Sequence, residues 1–275
     1  MYPVCEHLLA RRNKRAPFRD KRRIVLALPG GLMWGIRGGA TMIAFQELGL
    51  ASAFDDIYAV SAGFCNASYL LARQAPLGNS IYYQNLRTKK FINYFRPWKI
   101  ADMDYVLRIV RTVKKLNVPK ILSQKTRLWV RLYDLGSRKH KFLEVHRVNL
   151  DGYFSLLKAA ISVAYLVPGA ITIGSRKYKD SDFRPADHIK FLREVLSRPG
   201  TDFLVVYNDF SQYEYVHSRM KNFQRNGKTI LEIYPKQEWK LSRFETDPAK
   251  LKLAARQMGR LVKREFGWRA RIKLY

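Results

Sequence analysis

Residues 55–72 read DDIYAVSAGFCNASYLLA. A short apolar run, Ile57 to Val60, leads straight into Ser61. Small residues follow, and from there apolar residues recur as they do on a helix. The pattern is a strand, a tight turn and a helix. Ser61 is then either a nucleophile presented on a sharp elbow or a small residue that fits a crowded connection. Its surroundings in the sequence decide which reading is worth pursuing.

Upstream, Arg23 to Leu28 (RIVLAL) is another short β-type run, followed by the glycine-rich PGGLMWGIRGGA. TMIAFQELGL then repeats apolar residues at helical spacing (Met42, Ile43, Phe45, Leu48) and stops at Gly49. Two successive strand–helix units predict a parallel α/β sheet, in which sites form at the carboxyl ends of the strands. The glycine loop and Ser61 both fall at such ends. Downstream, ADMDYVLRIVRTVKKL places Met103, Val106, Ile109, Val110 and Val113 on one helical face. RLWVRLYDLGSRKHKFLEV predicts a hairpin turning near Gly136 and Ser137, and GYFSLLKAAISVAYLVPG a helix stopping before Pro168. AITIGSRKYKDSDF predicts a hairpin around Gly174 that ends in acidic residues. DFLVVYN and ILEIYP read as further strands, and PAKLKLAARQMGRLVKREFG as a closing basic helix.

Over 275 residues, 47% hydrophobic and 13% aromatic content suffices for a sizeable core. Charge is the outlier: 51 Lys and Arg against 22 Asp and Glu give a formal net charge of +29. Such a surface attracts polyanions, either nucleic acid or an anionic membrane face. The basic aromatic stretches NYFRPWK and EFGWRARIKLY would suit base stacking, but no nucleic-acid motif accompanies them, which makes a nucleic-acid partner the weaker expectation. Cys5 and Cys65 are the two cysteines, too few and too far apart for a disulfide framework. No secretory signal or membrane-spanning run is visible, so a cytoplasmic protein is expected, soluble or peripherally bound to membrane. Residues 1–22 are expected to form a basic, solvated and flexible segment, and residues 23–275 the folded domain. No metal-ligand spacing is present, and no cofactor is expected.

The chemistry rests on Ser61. A nucleophilic serine needs a strained turn that exposes its Oγ, with small neighbours relieving the crowding. Ala59-Val60-Ser61-Ala62-Gly63 has that form, with alanine where the first glycine is usual. The loop Gly30 to Gly39 follows a strand and opens a helix, so its N–H groups can cradle an anion. It lacks the Gly-Lys-Ser/Thr of a P-loop and any clean G-x-G-x-x-G.

In combination, a glycine-rich loop containing GIRGG, a helix, and VSAG on the next strand resemble the patatin-like phospholipase family. That family carries a G-G-G-x-R/K-G loop, a G-x-S-x-G elbow and a downstream D-G-G/A. Here Tyr178-Lys179-Asp180-Ser181-Asp182 stands where the third element is expected. The resemblance runs from about Arg23 to Pro185 and implies a three-layer α/β/α fold with a mostly parallel central sheet. It also implies hydrolysis of acyl esters of lipids or phospholipids by a Ser–Asp dyad, without a histidine. Ser61 would be the nucleophile and Asp180 its base, with Asp182 the alternative base. The backbone of Gly35, Ile36, Arg37 and Gly38, with Ala62, would form the oxyanion hole, and Arg37 would hold the loop. Of the five histidines, His188 is nearest to Asp180 in sequence, and a triad through it ranks below the dyad. Three departures stand out: Leu32 to Trp34 are inserted in the loop, Ala59 replaces a glycine, and Ser181-Asp182 replace two more. They favour the alternative reading, a weak or inactive protein of this fold that binds anionic membranes or nucleic acid.

Overall fold

The computed structural model describes residues 2–14, 17–93, 95–96, 100–163, 166–167, 169–182, 184–220 and 227–267. In order they form α1 (Pro3–Ala10), β1 (Ile24–Leu28), α2 (Gly35–Glu47), β2 (Asp56–Ala59), α3 (Ala62–Leu71) and α4 (Ala75–Gln84). There follow α5 (Met103–Arg108), α6 (Val118–Leu122), β3 (Arg127–Asp134), β4 (Lys139–Glu144), α7 (Leu150–Ile161), β5 (Ile171–Ile173) and β6 (Arg176–Asp180). The chain closes with α8 (Pro185–Leu196), β7 (Asp202–Val206), α9 (Phe210–Arg219), β8 (Thr229–Ile233) and α10 (Pro248–Glu265).

Alternation along the strands sets the layers. Ile24, Leu26 and Leu28 of β1 join one apolar cluster with α2, α3, α7 and α10, while Val25 and Ala27 join a second with α8 and α9. β7 divides the same way, Leu204 and Val206 against Phe203 and Val205. A strand apolar at every position is thus buried on both faces, and the fold is the expected three-layer α/β/α arrangement. The sheet runs β5-β6-β3-β2-β1-β7-β8, with β4 also on β3. β1 pairs in parallel with β2 and β7, and β3 and β8 extend that set in parallel. The β3–β4 and β5–β6 hairpins form as the sequence predicts.

β3 has two partners on one edge. β4 pairs along Trp129 to Asp134, so β2 (at Arg127 to Val130) and β6 (at Leu132 to Asp134) must share the other edge. β6 therefore runs antiparallel toward the carboxyl end of β2, and Asp180, opposite Leu132, arrives just past Ala59, which lies opposite Val130. That placement builds the site.

Several expectations are corrected. The first residues are not a solvated tail: Val4, Cys5 and Leu8 of α1 are fully buried, and the helix packs on β7 and β8. Arg11 is buried too, donating to Asp20, Asp55, and the carbonyls of Ala53 and Arg22. The GIRGG segment is not loop but the first turns of α2, because Leu32–Trp34 form a 3-10 turn stacked on the helix start. Val113 is 61% exposed, since α5 continues as a π-helical turn, Ile109–Val113, whose wider winding shifts the phase of the apolar face. α7 ends at Ile161, where the Ser162 carbonyl leaves the helix to accept from the Asp180 N–H at 3.3 Å. Pro168, Tyr94 and Pro97 to Lys99 of NYFRPWK, and 268–275 of the terminal basic stretch lie outside the described residues.

Candidate active site

Ser61 is the N-cap of α3, with φ 51° and ψ −124°. An L-residue adopts this region at a cost of about 1–3 kcal/mol, so the turn holds strain that packing must offset. The packing is close. Val60 N–H donates to the Leu28 carbonyl at 3.0 Å, and a Cβ on Gly63 would stand 2.3 Å from that same oxygen. Glycine at the fourth position of VSAG is thus required by the approach of α3 to β1. The methyl group that Ala59 adds at the first elbow position is absorbed by the major core cluster, where Ala59 is fully buried.

Asp180 is fully buried beside Ser61. Its Oδ1 accepts from the Asp182 N–H at 2.9 Å, which fixes the carboxyl orientation. Its Oδ2 and the Oδ2 of Asp182 are buried without an aligned hydrogen bond among the described residues. Burial first, and then the charge of Asp182, push the Asp180 carboxyl well above its ordinary range. The nearby Ser61 hydroxyl, the Asp182 N–H and the Arg243 charge oppose that shift. Cys65, one helical turn after Ser61, is no competing nucleophile: desolvation, and then Asp180, push its thiol up to about 12.

The glycine loop meets this pair at Gly30, not at Gly35 to Gly38. A Cβ on Gly30 would lie 2.1 Å from Asp182 Oδ2 and 2.7 Å from Ser61 Cβ. Gly35 packs against Ala62, and its N–H is spent on the Leu32 and Met33 carbonyls. Ile36 and Gly38 are buried in α2. Arg37 is buried as well, and its guanidinium reaches away from Ser61 to Asp209 Oδ2 at 2.7 Å, the Asn208 carbonyl at 3.1 Å and the Trp239 carbonyl. It ties α2 to the carboxyl end of β7.

Two residues with no local signal in the sequence hold the loop. Asn208, just past β7, donates its Nδ2 to the Pro29 and Gly30 carbonyls, both at 2.9 Å. Gln212 on α9 donates Nε2 to the Gly30 carbonyl at 2.9 Å and accepts the Asn208 N–H on Oε1 at 3.0 Å. His188 on α8 does not complete a triad with Ser61. Its Nδ1 lies 3.3 Å from Asp182 Oδ1, and its Nε2 3.4 Å from Gln212 Nε2.

Ser61 opens into an apolar cavity. On α3, Ala62, Cys65 and Tyr69 line it, facing Ile81 of α4 and Met103 and Val106 of α5. Ser61 to Tyr69 spans eight helical steps, or roughly 12 Å of cavity length at 1.5 Å per residue. Among the described residues no three metal-ligating side chains converge.

No known protein-family model matches the chain, and no curated protein matches it by sequence. Among solved structures it is similar to VipD from Legionella pneumophila, at 10% identity and a TM-score of 0.50, over 89% of this chain and 67% of that one. At that identity the likeness is one of fold.

Proposed function

We propose that the chain is a serine acyl hydrolase of the patatin-like type, acting on acyl esters of lipids or phospholipids. The observation that carries the reading is the conjunction of a strained Ser61, a buried Asp180 at its side, and an apolar cavity starting at the serine. Ser61 Oγ attacks the ester carbonyl carbon while Asp180 takes its proton. The proton then passes to the leaving alcohol as the C–O bond breaks. Water hydrolyses the acyl-serine by the same route in reverse. The acyl chain lies along α3, where no polar group other than Asn66 and the tyrosine hydroxyls would need to be desolvated.

The oxyanion hole differs from the one implied by the motif. With the Gly35 N–H engaged, its donors are the N–H groups of Gly31, Leu32 and Ala62, which donate to no other described residue. Each such donor contributes about 3 kcal/mol in the transition state. Asp182 lies beside His188, whereas the Ser61 hydroxyl acts on the Asp180 carboxyl, which supports Asp180 rather than Asp182 as the base.

A fluorophosphonate probe tests the proposal. Wild type should label and should hydrolyse medium-chain acyl esters. Ser61→Ala should lose labelling, and Asp180→Asn should lose about 10⁴-fold in kcat, the scale seen when the group that activates a catalytic serine is disabled. A folded wild type that takes no label and cleaves no ester at any pH from 5 to about 10 removes the reading. Binding to anionic surfaces then becomes the function to pursue.

A further inference from the structure

Asp182 stands where the resemblance leads one to expect a small residue, and it brings a partner. The contacts around His188 fix what that partner does. Gln212 is the key, because both ends of its amide are assigned. Its Oε1 accepts the Asn208 N–H, so the group facing Gly30 and His188 is the NH₂. Gln212 Nε2 is a donor, and His188 Nε2, 3.4 Å away, must therefore be the acceptor. The ring proton then sits on Nδ1, which lies 3.3 Å from Asp182 Oδ1. All of these groups are buried, with His188 8% and Asp182 4% exposed, so the orientation is not open to exchange with solvent.

We propose that His188 is a positioning residue of this site: as the Nδ1–H tautomer it donates to Asp182 and holds that carboxylate beside Asp180, which makes Asp180 a stronger base toward the Ser61 hydroxyl. This rests on the reading of Asp180 as the base. The consequence is chemical. A base hemmed in by a fixed negative neighbour holds a proton more tightly than an isolated aspartate, and a stronger base takes a serine proton more readily. The other charged groups around this network are few. Asp187, on the same helix as His188, turns to the Arg184 N–H at 2.9 Å and to His140 of β4 at 3.8 Å. From α9 the facing group is the uncharged Gln212, and Arg243 acts on Asp180.

The experiment follows the carboxyl carbon of Asp180 by ¹³C NMR titration, which needs no turnover, alongside the pH profile of kcat. His188→Leu removes the donor. It should lower the Asp180 midpoint by about one pH unit or more, with kcat falling more than KM changes. His188→Asn can present an N–H in place of Nδ1 and should restore the midpoint. In an Asp182→Asn background, His188→Leu should add no further shift. A folded His188→Leu whose Asp180 midpoint is unmoved overturns the proposal, as does a shift that persists undiminished in Asp182→Asn. If His188→Leu does not fold, Asp182→Asn alone decides: it must lower the Asp180 midpoint, and an unmoved midpoint overturns the proposal. Absence of probe labelling in wild type removes the hydrolase reading but leaves the titration, and this inference, to be judged separately.

Discussion

Ser61 pays for its geometry in stability, and Asp180 does so by a different route. Glycine adopts positive φ freely, so Ser61→Gly should raise unfolding stability by about 1 kcal/mol in urea while abolishing labelling and hydrolysis. Asp180 is buried, and burial favours its neutral form. The folded state therefore binds this proton more tightly than the unfolded state. Its stabilising effect is full below the unfolded carboxyl's ordinary value and is lost as pH rises through the folded one. Asparagine is neutral throughout. Asp180→Asn should thus be more stable than wild type at pH 8, by at least about 1 kcal/mol, and the gain should shrink toward zero near pH 4. Urea unfolding at the two pH values checks it, and a gain independent of pH would contradict the burial argument. At this scale the elbow was legible, because crowding at a βα turn leaves a local trace in small residues. Asn208 and Gln212 were not, because their partners are the Pro29 and Gly30 carbonyls about 180 positions away, and nothing near them in sequence marks that approach.

The elements show where local rules suffice and where they fail. The inserted Leu32–Trp34 turn moves the GIRGG glycines into α2, so the loop backbone that meets Ser61 is at Gly30. Glycine spacing alone does not tell a long loop from a short loop capped by a helical turn. Gly30→Ala tests the consequence. The new methyl group would overlap Asp182 and Ser61, so the fold should persist with a lower melting temperature while kcat falls at least about a hundredfold through misplaced reacting groups. Gly38 is farther off: its added Cβ would meet the Asn208 and Asn66 amides. The N-terminal helix is the second case. Counting charges over residues 1–22 suggests solvation, yet Val4, Cys5 and Leu8 have helical spacing and Arg11 has acidic partners on two segments. Arg11→Leu leaves the Ala53 carbonyl without the guanidinium and Asp55 with only the Ile24 N–H, and should cost about 2 kcal/mol or more on unfolding, the partners' partial exposure keeping it below the value for a fully buried pair. Composition describes the surface of a short segment, but periodicity describes what it buries.

At the scale of the whole molecule, the parallel core of the sheet follows from repeated strand–helix units, whereas the placement of β6 beyond the end of β2 required register that only the folded sheet supplies. The net charge of +29 is a whole-molecule property, and the fold gives it a place to act. Lys252, Arg256, Arg260 and Lys263 recur on one face of α10 and line a groove against α2 and α4. Lys263 is neutralised by Glu47 at 2.6 Å, and Lys252 stacks over Tyr83, but Arg256 and Arg260 have no carboxylate partner among the described residues. No helix among these residues is long and apolar enough to cross a bilayer. We propose an electrostatic contact of α10 with lipid, through the cations that line this groove. Each well-placed cation then contributes about 1 kcal/mol on an anionic leaflet. Exchanging Lys252, Arg256 and Arg260 for glutamine should therefore weaken binding to phosphatidylserine-containing vesicles by about a hundredfold in co-sedimentation. It should leave probe labelling of Ser61 intact, because none of the three lines the serine's cavity. Salt at about 0.5 M, which shortens the screening length to a few ångströms, should release wild type in the same way. Release by salt but not by the three exchanges would move the contact to another basic face, and binding that survives both would mean that apolar insertion, not charge, brings the protein to lipid.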